Sequence, residues 1–341
     1  MSNYENARRR IRQSARTWLV TGVAGFIGSH LAEQLLALGQ HVVGLDNFST
    51  GKRANLDALA SPNFRFIQGD IRSLDACRRA CAGVDVVLHQ AALGSVPRSI
   101  DDPVTSAECN IGGFLNMLVA ARNAGVRRFV YASSSAVYGD HPALPKVEPL
   151  TGRAVSPYGL TKQVNELTAG VFDACYGFKS IGLRYFNVFG PRQDPHGAYA
   201  SVIPAWIGAL LAGRPAYVYG DGTAARDFCH VDNVVQANLL AATVEDPAAL
   251  GEVYNVALGD QTSLLELFSL ITEIMGLKDV KPVHRPPRKG DLQFSRADTA
   301  KAERLLGYRP AVRIREGLER TIEWYAQNLA PASEERKVAN A

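Results

Sequence analysis

The sequence of 341 residues has no apolar run fit to cross a bilayer: its longest mostly apolar stretch, Ser201–Leu211, contains a proline and falls well short of the roughly 20 residues a spanning helix needs. No membrane segment is expected. Met1–Arg16 is polar and Arg-rich and lacks the apolar segment a secretory signal carries, so residues 1–16 read as a flexible N-terminal tail. Cysteine is scarce, with five residues (Cys77, Cys81, Cys109, Cys175, Cys229), scattered and without a Cys-x-x-Cys pair, which speaks against a disulfide framework. Cys77 and Cys81 can share a helix face but have no histidine nearby, so they read as small buried side chains, no metal is expected, and a reducing, cytoplasmic setting fits. Charge of one sign is missing too: the net charge is +4 and the basic residues are spread along the chain, giving nucleic-acid binding no support. A few placed arginines facing a small anion suit this balance better. There is no internal repeat and no low-complexity segment.

What is present, 47% hydrophobic and 21% charged residues, matches an ordinary globular protein of one large or two closely packed domains. From Thr17 to about Phe189, short β-branched runs (Trp18–Thr21, His41–Leu45, Phe64–Gln68, Val84–His89, Arg128–Ala132, Ser180–Arg184) alternate with helical patterns at Phe26–Leu38, Leu74–Cys81, Val104–Ala124 and Tyr158–Cys175. That order predicts an α/β fold with a doubly wound parallel sheet over residues 17–190. Beyond Gly190 the rhythm loosens into Pro- and Gly-rich turns, with helices expected near Tyr199–Leu211, Val231–Val244, Leu264–Met275 and Ile314–Gln327. A second, smaller mixed α/β lobe over 191–330 is the simplest account. Residues 231–256 again read helix then strand and are expected to return to the first sheet, and 331–341 read as a disordered tail.

Directly after the first strand, Thr21-Gly22-Val23-Ala24-Gly25-Phe26-Ile27-Gly28 opens a helical pattern. Glycines there let the backbone approach a pyrophosphate, whose charge then sits on the helix N-terminus. Asp46 ends the second strand about 20 residues on, where a carboxylate takes both ribose hydroxyls and repels a 2′-phosphate, favouring NAD over NADP. The following Asn47-Phe48-Ser49-Thr50-Gly51 looks like a turn that Asp46 could instead cap. Asp70 and Ile71, near an adenine, and Gln90, Ala91 and Ala92, beside a pyrophosphate, are further candidates at strand ends facing one crevice.

Tyr158 and Lys162 lie four residues apart, hence on one helix face, with Pro157 suited to the first turn. A free tyrosine, pKa near 10, is a poor base at neutral pH, and lowering it to about 7 takes roughly 4 kcal/mol. A close ammonium and the positive nicotinamide ring together could supply that in a partly dry cleft. Ser133, Ser134 and Ser135 follow the fifth strand, where a hydroxyl could bond a substrate oxygen and position its proton; Ser134 is favoured, with Ser135 next, against a mere strand-end cap.

With the Thr-Gly-x-x-Gly-Phe-Ile-Gly turn, the serine stretch before Val137-Tyr138-Gly139, the Tyr-x-x-x-Lys pair and Arg184-Tyr185-Phe186-Asn187-Val188-Phe189-Gly190-Pro191-Arg192, the chain resembles the extended short-chain dehydrogenase family of nucleotide-sugar epimerases and dehydratases, from Thr17 to about Tyr325. The resemblance implies a Rossmann domain holding NAD, with Phe26, Ile27, Asn47, Ser49, Gly51 and Tyr185 among its contacts. Dehydratases and decarboxylases of the family place acids in the segment that here reads Ser134-Ser135-Ala136; their absence leaves epimerisation. Tyr158 would take the proton of the sugar 4-hydroxyl while hydride passes from carbon 4 to NAD, and the 4-keto sugar would turn over before taking it back.

By the same resemblance Arg226 and Arg288 hold the diphosphate of a UDP-sugar, as planar guanidiniums suit phosphate; Asp291 bonds the uridine ribose, and Asn187 a phosphate or sugar oxygen. Ser201, Val202, Trp206 and Tyr217 line the uracil end. Ser295 stands where galactose-specific relatives carry a bulky tyrosine, leaving room for an N-acetyl group, and Gly94–Ser99, with Ser95, looks like epimerases preferring N-acetylated or uronic sugars. UDP-GlcNAc/UDP-GalNAc interconversion is therefore the expectation, a UDP-glucuronate or N-acetylated uronate epimerase using Arg98 or Lys289 the alternative, and an NAD-binding regulator the non-enzyme one. The family also implies a homodimer pairing Val104–Ala124 and Tyr158–Cys175, with Gly112-Gly113 allowing close contact or a kink.

Overall fold

The computed structural model describes residues 2–196, 200–287 and 294–329. Thr17–Thr21 (β1), His41–Asp46 (β2), Phe64–Gln68 (β3), Val86–His89 (β4), Arg128–Ser134 (β5), Ser180–Tyr185 (β6) and Val253–Val256 (β7) form one 7-stranded sheet in the order β7-β6-β5-β4-β1-β2-β3. All its pairings are parallel. The chain winds outward from β1 to β3 and restarts at β4 on the other side of β1, so a crevice opens at the carboxyl ends where the order reverses.

The principal helices are Asn3–Gln13 (α1), Phe26–Ala37 (α2), Leu74–Cys81 (α3), Val96–Asp101 (α4), Phe114–Asn123 (α5), Pro157–Tyr176 (α6), Val202–Leu211 (α7), Val231–Thr243 (α8), Leu264–Ile274 (α9), Ala300–Leu306 (α10) and Ile314–Asn328 (α11). On one sheet face α1, α2 and α8 bury Ile11, Leu31, Leu35, Val234 and Leu240 against Trp18 and Val20. On the other, α3, α5 and α6 bury Cys77, Cys81, Met117, Leu118 and Phe172 against Leu19, Val87 and Phe129. Covering both faces explains why the inner strands β1, β4 and β6 are buried nearly throughout, whereas the edge strand β3 has no fully buried residue. A separate cluster unites α7, α9 and α11 through Ile203, Trp206, Ile207, Phe268, Leu318 and Tyr325.

Two expectations are corrected. Residues 1–16 are not a flexible tail: Ser2 and Glu5 form a reciprocal capping box at the start of α1, and Ala7 and Ile11 are buried. Gln40, itself buried, donates to the Ile11 carbonyl at 2.8 Å and accepts from the Arg16 amide and the Trp18 indole, each at 3.0 Å, so a satisfied buried amide ties the end of α1 to β1. The stretch Val104–Ala124 is not one α-helix either. Pro103–Ala107 is helical, Glu108–Gly113 widens into a π turn, and α5 follows. Gly113 serves close contact, since a Cβ there would lie 2.5 Å from the Ile71 side chain, whereas Gly112 faces open space. The helix expected from Tyr199 begins at Val202, and Tyr199 and the segment 331–341 lie outside the described residues.

Because α1 is packed rather than loose, Ile11→Ala should lower unfolding stability by about 2–4 kcal/mol. Denaturant titration checks this; an unchanged midpoint would mean that α1 adds nothing to the fold.

Candidate active site

Each glycine after β1 has its own steric reason. Gly22 has φ +67°, and a Cβ on it would meet the Ala91 amide at 2.9 Å; on Gly28 it would meet the Gly22 carbonyl oxygen at 2.1 Å. Gly25 is the N-cap of α2, without a side-chain cap and with no acidic residue in the first turn that Phe26 and Ile27 begin. The orphan N–H groups of a helix start are thus left to an anion, which fits a pyrophosphate. Gly51 packs on the same turn, where a Cβ would lie 2.8 Å from that of Ala24.

Asp46, buried at the end of β2, accepts from the Ala24 amide at 2.9 Å and the Phe48 amide at 2.7 Å. It therefore holds the glycine turn from within, the capping role weighed above. Each carboxylate oxygen retains acceptor capacity for a hydroxyl, which fits an adenosine ribose and not a phosphate. Desolvation raises its pKa, and the backbone bonds oppose the shift. Asn47 donates to Asp70 at 2.8 Å and accepts from the Ser49 amide at 2.9 Å, linking the ends of β2 and β3. Arg72 beside Asp70 holds that carboxyl down at about 2, and the Ile71 carbonyl accepts from Asn116 at 3.0 Å.

The β4 end is tied to β1 by Thr21, whose hydroxyl accepts from the Gln90 and Ala91 amides, each at 3.1 Å; Ala92 follows, half-buried. Gln90 and Tyr185 bond each other at 3.1 Å, and Asn238 bonds both. Their polar ends are tied to one another within the fold. Downstream, Ser95 caps α4, and the buried Ser99 hydroxyl accepts the Tyr158 amide at 3.0 Å. One loop thus touches the glycine turn and fixes the tyrosine. Asn110, set inward by the π turn, grips that loop through both the amide and carbonyl of Leu93 and reaches Thr161 on α6. Sequence reasoning missed Ser99 and Asn110, since neither has a local pattern.

Lys162 is only 3% exposed, and its Nζ donates to the Ala132 carbonyl at 2.8 Å and lies 5.9 Å from the Tyr158 ring centre. Burial pushes its ammonium down to about 8, with Cys109 and Glu166 acting upward. Burial raises the Tyr158 phenol, while a hydrogen bond with Ser134 lowers it. The protein's own groups therefore keep the phenol neutral at pH 7, and a positive ligand charge has to complete the shift, in line with the expectation that ammonium and ligand charge act together. The serines separate: Ser133 donates to Glu166 at 2.5 Å, Ser134 accepts the Ala136 amide at 3.1 Å and reaches Tyr158, and Ser135 opens a short 3₁₀ turn.

Toward the second lobe Asn187, exposed with φ +33°, donates to the Asp227 carbonyl. Arg226 is half-buried, and the Ser295 amide bonds the carbonyl of the preceding Ala225 at 3.0 Å. Ser201 and Val202 start α7. Trp206 is buried, with its indole N–H on the Tyr217 carbonyl at 2.9 Å, so it backs that strand rather than offering a polar group to a ligand. The Arg285 guanidinium lies 3.6 Å from the Tyr217 ring centre, a partner sequence reasoning did not name. Arg288, Lys289 and Asp291 lie outside the described residues. Among the described residues no helix is long and apolar enough to cross a membrane.

The family described as "NAD dependent epimerase/dehydratase family" matches residues 18–257. A UDP-glucose 4-epimerase of Mycolicibacterium smegmatis is 42% identical over 310 residues, 90% of this chain and 97% of that protein. The solved UDP-glucose 4-epimerase of Thermotoga maritima, with UDP-glucose, superposes at TM-score 0.86 with 37% identity over 92% of this chain and 100% of the other. A UDP-N-acetylglucosamine 4-epimerase from Methanobrevibacter ruminantium, with UDP-N-acetylmuramic acid, gives 0.87 with 35% identity over 92% and 99%.

Since the Lys162 ammonium is charged below about 8 and neutral above it, turnover should be retained up to that pH and fall beyond it. A pH–rate profile flat to the tyrosine range near 10 would contradict this.

Proposed function

The chain belongs to the NAD dependent epimerase/dehydratase family and is an NAD-dependent UDP-sugar 4-epimerase; from that premise we propose that its substrates are UDP-N-acetylhexosamines, interconverted as UDP-GlcNAc and UDP-GalNAc. The convergence of Tyr158, Ser134 and Lys162 at the head of the parallel sheet carries the reaction. NAD, held by the glycine turn and Asp46, would supply the hydride acceptor for carbon 4. Tyr158 removes the 4-hydroxyl proton and gives it back, Ser134 orients that oxygen, and Lys162 adds positive charge beside the phenol. The glycine turn and the start of α2 hold the cofactor pyrophosphate, and Asp46 its ribose. Arg226, with Arg288 and Asp291, grips the uridine diphosphate from residues 191–330, so that firm hold on UDP leaves the sugar free to turn.

The sugar choice rests on Ser295. It is small, and its amide bonds the carbonyl of Ala225, the residue before Arg226, at 3.0 Å. A second reading, UDP-glucose as the preferred sugar, draws on the names of two relatives above. A coupled assay decides between them: kcat/KM should favour UDP-GlcNAc, and strong preference for UDP-glucose rejects the proposal. Ser295→Tyr should lower kcat/KM for the acetylated sugar about tenfold or more relative to UDP-glucose, by filling the acetamido space. Tyr158→Phe should lose about a thousandfold in turnover while still binding NAD; retained turnover would overturn the catalytic assignment.

A homodimer formed through α6 and the 104–124 stretch belongs to the same proposal. Leu160, Leu167 and Val171 recur at helical spacing on α6 and are 50%, 70% and 55% exposed, beside exposed Val104 and Leu115. Such a stripe on a packed helix calls for a partner, here a second copy. Leu167→Glu with Val171→Glu should yield a monomer in sedimentation; a parent protein that is itself monomeric would exclude the dimer.

A further inference from the structure

We propose that Glu166, through Ser133 and Arg184, is a positioning residue for the reaction: a buried latch between β5 and α6 that sets Ser134 against Tyr158 and keeps Lys162 charged. This rests on the reading of Ser134, Tyr158 and Lys162 as the reacting group. Ala132, Ser133 and Ser134 are consecutive at the end of β5, while Tyr158, Lys162 and Glu166 follow one another at four-residue steps on one face of α6. Two rungs join these ladders side by side. Lys162 donates to the Ala132 carbonyl at 2.8 Å, and the Ser133 hydroxyl donates to Glu166 at 2.5 Å. The pair read as meeting substrate flanks these rungs: Ser134 directly follows Ser133 on β5, and Tyr158 stands one helical turn before Lys162 on α6.

Glu166 is fixed in turn by Arg184 of β6. Arg184 Nε donates to its Oε1 at 2.9 Å and Nη2 to its Oε2 at 2.7 Å, with side-chain exposures of only 3% and 13%. The remaining Nη1 donates to the Glu148 carbonyl at 2.9 Å, and the guanidinium lies 4.9 Å from the Tyr138 ring centre. A forked, buried pair of this kind has little freedom, so the carboxylate is held in one place. It also stands one helical turn from an ammonium that burial works to neutralise. The groups facing Lys162 are Cys109 from the π turn, neutral His89 from β4, Tyr158, and Glu166, whose carboxylate favours the charged form. Glu166 touches neither substrate nor cofactor in this reading. It acts through Ser133 on geometry and through space on charge.

Two variants test this, each compared with Tyr158→Phe. Ser133→Ala removes one rung and leaves the ion pair intact; kcat should fall about three- to tenfold, with KM and NAD affinity within about twofold. Glu166→Gln keeps the shape and removes the charge; the alkaline limb of the kcat profile should move down by about one pH unit, and Glu166→Asp should restore part of it. Because removing one member of a buried pair can unfold a protein, far-UV circular dichroism and NAD binding accompany each measurement, and Ser133→Ala stands alone if Glu166→Gln does not fold. A folded Ser133→Ala enzyme with kcat within about twofold of the parent, or a folded Glu166→Gln enzyme with an unmoved alkaline limb, overturns the latch. Inactive Tyr158→Phe alongside such results would confine the failure to Glu166; active Tyr158→Phe would instead reject the catalytic reading itself.

Discussion

A lysine ammonium enclosed at the junction of a strand end and a helix is the constraint around which this structure is arranged. Water would solvate Lys162 at no cost; inside, its charge survives only with acceptors and opposite charge nearby. The Ala132 carbonyl is the direct acceptor, and the Glu166 carboxylate acts from a distance. The same enclosure raises the tyrosine it is meant to assist. Burial thus opposes both members of the pair, and the balance tips toward the phenolate only when a ligand brings further positive charge. A phenol held this way is neutral until a bound ligand adds positive charge.

Around that pair, backbone contacts do most of the positioning. Gly22 wedges against Ala91, Gly28 presses on Gly22, and Asp46 holds Ala24 and Phe48. Ser99 takes the amide of Tyr158 itself. A helix start whose N–H groups stay open cannot spare them for its own support, so support for the turn comes from side chains reaching in from neighbouring elements. The loop after β4 is the common element. Together with α4 it meets the glycine turn at one end and, through Ser99, the Tyr158 amide of α6 at the other.

The second lobe follows a different economy. Its core of Trp206, Phe268, Leu318 and Tyr325 is separate from the two cores of the sheet, and Arg226, Ser295 and the strand Tyr217–Tyr219, with Arg285 above the Tyr217 ring, belong to short elements. At the opposite end, α1 adds a helix to one face of the sheet through Ala7, Ile11 and the buried amide of Gln40.

The strands, the glycine turn, Asp46 and the Tyr158–Lys162 pair were legible from the amino-acid order alone, because each depends on neighbours within a few residues or on a spacing that helix and strand periods dictate. α1 was legible in principle, since Tyr4, Ala7 and Ile11 fall at helical spacing after a Ser-x-x-Glu box; the density of arginine obscured it. No such local signal marks Ser99, Asn110 or Glu166 as supports of the site, assigns Ser133 rather than Ser134 to a carboxylate, or turns Gln90 and Tyr185 toward each other. Those outcomes belong to tertiary structure, for hydrogen bonds and buried charges are settled by which groups arrive within 3 Å after the sheet closes and water leaves, and chain distance says nothing about that.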